Sequence, residues 1–256
     1  MSTMLKVILV LSILFNLLAL WGFFTYIRYG GSPLGELKRK LTGTTKQSGP
    51  KIPFEEEYAQ IRQEIAEGKT DSLRVVFFGA SITARWDLKD AFPEIHPVNR
   101  GVGGQLIYNM MPRFKRDVLD LQPKAVVIKF CSINIRPHVP LQHLKDGMEM
   151  LCQLSKANGI TPIVATIIPA GKPEARVGNY SVVDSLKAFN AWARQYAAQQ
   201  DLPILDFAKA IEDDQGFLPR ECSVDPVHLN EKGYEIIRAA ARSVLQRVVE
   251  TAPQVK

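Results

Sequence analysis

Cysteine is scarce in this chain. The 256 residues hold only three, at 131, 152 and 222, an odd number with no CxxC spacing, which argues against both a disulfide framework and a zinc motif. Histidine is scarce too: the four residues at 96, 138, 143 and 228 form no cluster from which an imidazole-built metal centre could be assembled. No internal repeat is visible, and the glycines at 101, 103 and 104 miss the G-x-G-x-x-G dinucleotide spacing. Charge of one sign is also lacking, because 32 Lys and Arg against 26 Asp and Glu leave a scattered net charge of +6. The one tight basic cluster, Lys38-Arg39-Lys40, lies near a long apolar run. It reads as a membrane-flanking patch, so no nucleic-acid partner is expected.

That apolar run is the first positive signal. Residues 7–27, VILVLSILFNLLALWGFFTYI, carry no charge, and about 21 residues suffice to cross a hydrocarbon core of about 30 Å. Trp21, Phe23, Phe24 and Tyr26 gather at one end like an interfacial aromatic belt, in the place where a small-residue cleavage site would have to stand. An uncleaved, single-pass anchor is therefore expected over residues 1–30, followed by a linker over 31–53 rich in Gly, Ser, Thr, Pro and Lys. Arg28 and the 38–40 cluster lean the positive-inside count toward a cytoplasmic domain.

From residue 54 onward the pattern alternates. Residues 54–69 place Phe54, Tyr58, Ile61 and Ile65 at helical spacing, with acidic residues in the first turn. Strands are expected at 74–79, 97–100, 125–130, 161–168 and 203–207, and helices at 106–121, 141–158, 182–200 and 231–249. The loops are 169–177 and 215–226. Alternation of this kind implies an α/β domain with a mainly parallel sheet covered by helices on both faces.

Four stretches fall at strand ends or before the last helix: Gly79-Ala80-Ser81, Asn99-Arg100-Gly101-Val102-Gly103-Gly104, Cys131-Ser132-Ile133-Asn134, and Asp225-Pro226-Val227-His228-Leu229-Asn230. A parallel sheet gathers such ends on one rim. A serine needs a base to act as a nucleophile; His228 can supply it, and Asp225 can orient the imidazole. Gly104 can present a backbone N–H and Asn134 its side-chain amide, which with the Ser81 N–H would make an oxyanion hole. Read singly, Ser81 is better taken as a helix N-cap, Asn134 is equally a capping residue, and the glycines are a tight turn or a phosphate-cradling loop.

Taken together and in order, FFGASIT, NRGVGG, CSIN and DPVHLN resemble the four blocks of the SGNH (GDSL-type) hydrolases, with NRGVGG most similar to the platelet-activating-factor acetylhydrolase and lysophospholipase branch. The resemblance spans about residues 72–248 and implies a flavodoxin-like three-layer α/β/α sandwich, placing the domain at 54–256 behind the transmembrane helix. It implies ester hydrolysis without metal or cofactor, with Ser81 as nucleophile, Gly104 and Asn134 completing the oxyanion hole, and Asp225 and His228 completing the triad. Three positions depart from the pattern: Ala80 replaces the family Asp, Ser132 a glycine, and Ile135 an Asp or Asn.

The expected activity is hydrolysis of small acyl esters, acetyl above all, on a glycan or lipid, by a domain on the outer side of the membrane. Acyl transfer to an envelope glycan through the same residues, and glycan or lipid binding without catalysis, are the alternatives. Arg85, Trp86, Arg136 and His138 are expected at the cleft rim, where the two arginines would favour an anionic or phosphate-bearing ester.

Overall fold

The computed structural model describes residues 53–135, 139–172 and 182–251, together with residues 3, 4, 12, 15–17, 19 and 20. Contacts divide the chain into two compact units, Met1–Ile52 and Pro53–Lys256. Most of the 7–27 apolar run and of the 31–53 linker lies outside the described residues, as do Arg136 and His138. Among the described residues no helix is long and apolar enough to cross a membrane.

The second unit is built on β1 (Arg74–Gly79), β2 (His96–Gly101), β3 (Ala125–Lys129), β4 (Thr161–Ala165) and β5 (Ile204–Leu205), all parallel, in the order β2-β1-β3-β4-β5. The expected mainly parallel sheet is therefore present. Strand residues alternate between two faces. Val76, Phe78, Val126, Ile128 and Val164 point to one core, which is closed by α1 (Glu55–Ala66), α4 (Ile107–Asp117), α5 (Leu141–Ala157) and α6 (Val183–Gln199). Val75, Phe77, Val127, Ile163 and Ala165 point to the other, which is closed by the short α3 (Leu88–Ala91) and α7 (Phe207–Ile211) and by α8 (Glu231–Thr251). Because both faces are covered, β1 and β3 are buried along their whole length, as the apolar runs at 75–78 and 125–128 require.

The helices present stripes that match. Leu144, Met148, Leu151 and Cys152 face the sheet from α5, and Ile237, Ala241, Leu245 and Val248 from α8. α1 is held against the β2 edge by Glu57, which pairs with the fully buried Arg100, whose guanidinium also lies 4.8 Å from the Phe54 ring centroid.

Strand order reverses at β1 and β3. In open α/β sheets the crevice at the carboxyl ends of the strands flanking such a reversal is where ligands bind. The first residue after β1 is Ala80 and the next is Ser81.

Candidate active site

β1 ends at Gly79, and α2 (Ser81–Ala84) begins two residues later with Ser81 as its first residue. A four-residue helix cannot sustain itself, since helix formation has a costly nucleus. Its outgoing carbonyls are satisfied from two other elements. Asn99 Nδ2 on β2 donates to Thr83 O at 2.8 Å and to Trp86 O at 3.1 Å, while the Tyr234 hydroxyl on α8 donates to Ile82 O at 2.8 Å. Gly101 allows β2 to pass this close: a Cβ there would lie 2.2 Å from the Ala84 backbone nitrogen.

Arg113 braces the same rim from α4. Its Nη2 donates to Gly79 O at 3.0 Å and its Nη1 to Arg100 O at 2.9 Å, with Nη1 also paired to Asp117 at 2.7 Å and the guanidinium 4.2 Å from the Phe78 ring centroid. The ends of β1 and β2 are thus held by one side chain.

The partner of Ser81 comes from the other end of the chain. A small antiparallel pair, β6 (Ser223–Asp225) and β7 (His228–Leu229), sets Asp225 opposite His228. Asp225 Oδ1 accepts the backbone N–H groups of Val227 and His228, both at 2.9 Å, and Oδ2 accepts His228 Nδ1–H at 2.7 Å. Partial burial pushes the Asp225 carboxyl up, but the bonds donated by Val227 and His228 outweigh it and hold the carboxyl below its ordinary range. With Nδ1 committed to the carboxylate, Nε2 is the ring atom left to accept, and it lies 3.0 Å from Ser81 Oγ. Serine hydroxyl, imidazole and carboxylate form one hydrogen-bonded chain.

A cavity of about 390 Å³ opens beside this chain, bordered by Ser81, Arg85, Gly104, Lys129, Cys131 and His228. Gly104 has φ +74 and nothing near its missing side chain, a backbone conformation that favours glycine. Among the described residues neither the Ser81 nor the Gly104 N–H has an acceptor. Asn134 closes the 3₁₀ turn Ser132–Asn134 and is 1 % exposed. Its Oδ1 accepts Ile107 N–H at 2.5 Å and its Nδ2 donates to Cys131 O at 3.3 Å. Asn134 does not border the cavity, although its amide nitrogen carries a second N–H beyond the one given to Cys131.

The rim expectations divide. Arg85 borders the cavity and is exposed, whereas Arg136 and His138 lie outside the described residues. The expectation for Trp86 is corrected. It is 6 % exposed and packs edge-on against Phe77, Phe92 and Phe207, with ring centroids 5.4–5.9 Å away, so it is a core residue under the Ser81 turn. Ala80, fully buried in that same cluster, occupies an apolar niche in which a carboxylate would be desolvated.

Arg113, Tyr234 and the bracing role of Asn99 escaped sequence reading because their partners are backbone carbonyls, which leave no trace in side-chain spacing. Lys129 did leave one: a lone cation in the otherwise apolar AVVIKF run.

The chain matches the GDSL-like Lipase/Acylhydrolase family over residues 65–236 of its 256. The chain belongs to that family. As a GDSL-like acylhydrolase it is a carboxylic ester hydrolase. It is 26 % identical over 212 residues to an uncharacterized lipoprotein, YqeF, of Bacillus subtilis strain 168, covering 68 % of this chain and 87 % of the relative. Solved structures similar to this acylhydrolase include a GDSL-like lipase from Bacteroides thetaiotaomicron (24 % identity, TM-score 0.63, 74 % of this chain and 98 % of that one). A catalytic mutant of an acetylxylan esterase from Geobacillus stearothermophilus is another (16 % identity, TM-score 0.55, 73 % and 97 %). At these identities the structural likeness is one of fold.

Proposed function

We propose that this acylhydrolase is a membrane-anchored serine esterase that removes small acyl groups, acetyl above all, from a glycan or lipid of the cell envelope. The observation that carries the reading is the Ser81–His228–Asp225 hydrogen-bond chain at the strand-order reversal. In the reaction, Ser81 Oγ attacks the ester carbonyl while His228 Nε2 takes its proton, and Asp225 stabilises the imidazolium that results. The oxyanion is received by the Ser81 and Gly104 N–H groups and by the remaining Asn134 amide N–H, each donor worth about 3 kcal/mol in the transition state. The imidazolium returns the proton to the departing alcohol. Water, activated by the same imidazole, then cleaves the acyl-serine and releases the acid.

The departure at Ala80 is consistent with this chemistry, because the turn it belongs to is braced by Asn99 and Tyr234. A cavity of about 390 Å³ is at the small end of the range for ligand sites and suits a short acyl group. Residues 7–27 and the lipoprotein relative support an envelope setting, and a glycan ester is the substrate of the acetylxylan esterase that shares the fold. The detergent-solubilised full chain is expected to hydrolyse 4-nitrophenyl acetate, with Ser81→Ala lowering kcat by a factor of at least about 10³. Equal turnover by the two proteins would refute the assignment.

A further inference from the structure

Lys129 is the last residue of β3, level with Gly79 of β1 and Ala165 of β4 in the strand register, and it shares the sheet face of Val127 and Cys131. It borders the cavity beside Ser81 yet is only 2 % exposed, so it belongs to the cavity's innermost wall, together with Ile167 and Ile168 at 1 % and 3 %. A buried ammonium is ordinarily paired with a carboxylate. Among the described residues this one has Phe130 O at 3.4 Å, long for a hydrogen bond, and the weak acceptor Cys131 Sγ at 3.8 Å, but no carboxylate.

Arg85, on the same cavity, has no ion-pair partner among the described residues either. Among the described residues no aspartate or glutamate borders the cavity. The cleft next to the nucleophile therefore holds two basic side chains, one of them deeply desolvated, with no carboxylate among its described lining residues.

We propose that this cavity is an anion-accepting subsite, in which Lys129 and Arg85 receive a carboxylate or phosphate carried by the ester substrate. This rests on the esterase reading and narrows it to esters bearing a negative charge close to the scissile bond. Burial pushes the Lys129 ammonium below the usual lysine range, with Cys131 acting the other way, so an incoming anion supplies the missing partner and favours the charged form. A charge-assisted bond formed in such a place is stronger than one at an exposed surface. The isoleucines beside Lys129 contact the carbon chain between the charge and the ester. The anion can sit on the acyl side, as in a dicarboxylate hemiester, or on the alcohol side, as in an ester of a phosphate-bearing alcohol.

The test uses the detergent-solubilised full chain and two matched pairs. On the acyl side, 4-nitrophenyl hydrogen succinate is compared with its neutral methyl ester; on the alcohol side, 2-acetoxyethyl phosphate is compared with 2-hydroxyethyl acetate, read by acetate release. At least one charged ester is expected to exceed its neutral partner in kcat/KM by about tenfold, the worth of one hydrogen bond to a charged group, and the pair that responds names the side. Lys129→Met, which keeps the stem and removes the charge, is expected to cut that ratio by about tenfold. Neutral esters turned over as well as charged ones would overturn the subsite and leave the esterase reading standing. A second measurement does not depend on turnover: millimolar succinate or ethyl phosphate is expected to raise the Tm of the unmodified chain, and neutral succinamide is not. No shift with either anion overturns the subsite even where Lys129→Met fails to fold, while absence of all ester turnover with the shift intact would count against the esterase reading instead.

Discussion

Asn99 shows how much a single side chain can decide at this site. Its amide nitrogen holds Thr83 O and Trp86 O while its oxygen takes Gly101 N–H at 2.9 Å, so one carboxamide connects the end of β2 to the turn that carries Ser81. Two such bonds are worth about 2 kcal/mol net, and small misplacement of a nucleophile is expensive in rate. Asn99→Ala is expected to lower kcat about tenfold to a hundredfold with little change in KM; a fall in Tm with kcat untouched would make Asn99 merely structural. At this scale the candidate residues were legible as four ordered stretches, and the hydroxyl, imidazole and carboxylate named from them meet within hydrogen-bonding distance. Trp86 was misplaced because a four-residue helix is too short for periodicity to say which way the next side chain turns; its ring went into the Phe77–Phe92–Phe207 cluster. The buried neighbours of Ala80 were equally invisible, since they come from distant parts of the chain.

Among elements, the long ones declared themselves. β1 was read at the observed bounds, and the helices at Leu141–Ala157 and Val183–Gln199 differ from expectation by one residue at one end and at both ends respectively, because stripes of buried side chains at helical spacing define them. The strand expected at 161–168 stops at Ala165; beyond it the Ile167 N–H and C=O are taken by the Asn190 carboxamide of α6 in place of a neighbouring strand. The short elements were missed. α2, α3, α7 and the β6–β7 pair have two to five residues each and are specified by tertiary hydrogen bonds in place of a pattern.

α7 illustrates this and gives a pH test. Asp206 caps it at Lys209 N–H, accepts from the Thr166 hydroxyl at 3.2 Å, and takes Arg194 at 2.7 and 2.9 Å. Burial pushes the Asp206 carboxyl up, but Arg194, Lys209 N–H and Thr166 together hold it below the ordinary carboxylate range. A carboxyl depressed on folding stabilises the protein above its unfolded pKa, and the contribution disappears as pH falls through the folded one. Asp206→Asn is therefore expected to cost about 1 kcal/mol at pH 7, the half-exposed ion pair with Arg194 contributing a minor part of it. The Tm gap between the two proteins should close as the pH is lowered below about 4; a gap independent of pH would contradict the account.

For the whole molecule, strand order makes the site. The β2-β1-β3-β4-β5 sequence puts its reversal at β1 and β3, and the residues that leave those strands are Ala80-Ser81 on one and Phe130-Cys131 on the other, with Lys129 ending the second. The hairpin that brings Asp225 and His228 to this edge lies 147 residues from Ser81 in the chain, a separation closed here by the crossovers of the parallel sheet. The parallel sheet was foreseeable from alternation alone; the order of its strands rested on family resemblance, since pairing leaves no period in sequence. On the same scale, residues 7–27 predict that the chain stays with the membrane pellet after an alkaline carbonate wash and leaves only with detergent. Release by carbonate would remove the anchor from the account.

The central claim is that Ser81 is an activated nucleophile. It is tested most directly by treating the full chain with a fluorophosphonate and locating the adduct by peptide mass spectrometry. The account predicts modification at Ser81, lost in His228→Ala because the hydroxyl then has no base. An unmodified chain, or an adduct that persists at Ser81 without His228, would contradict it.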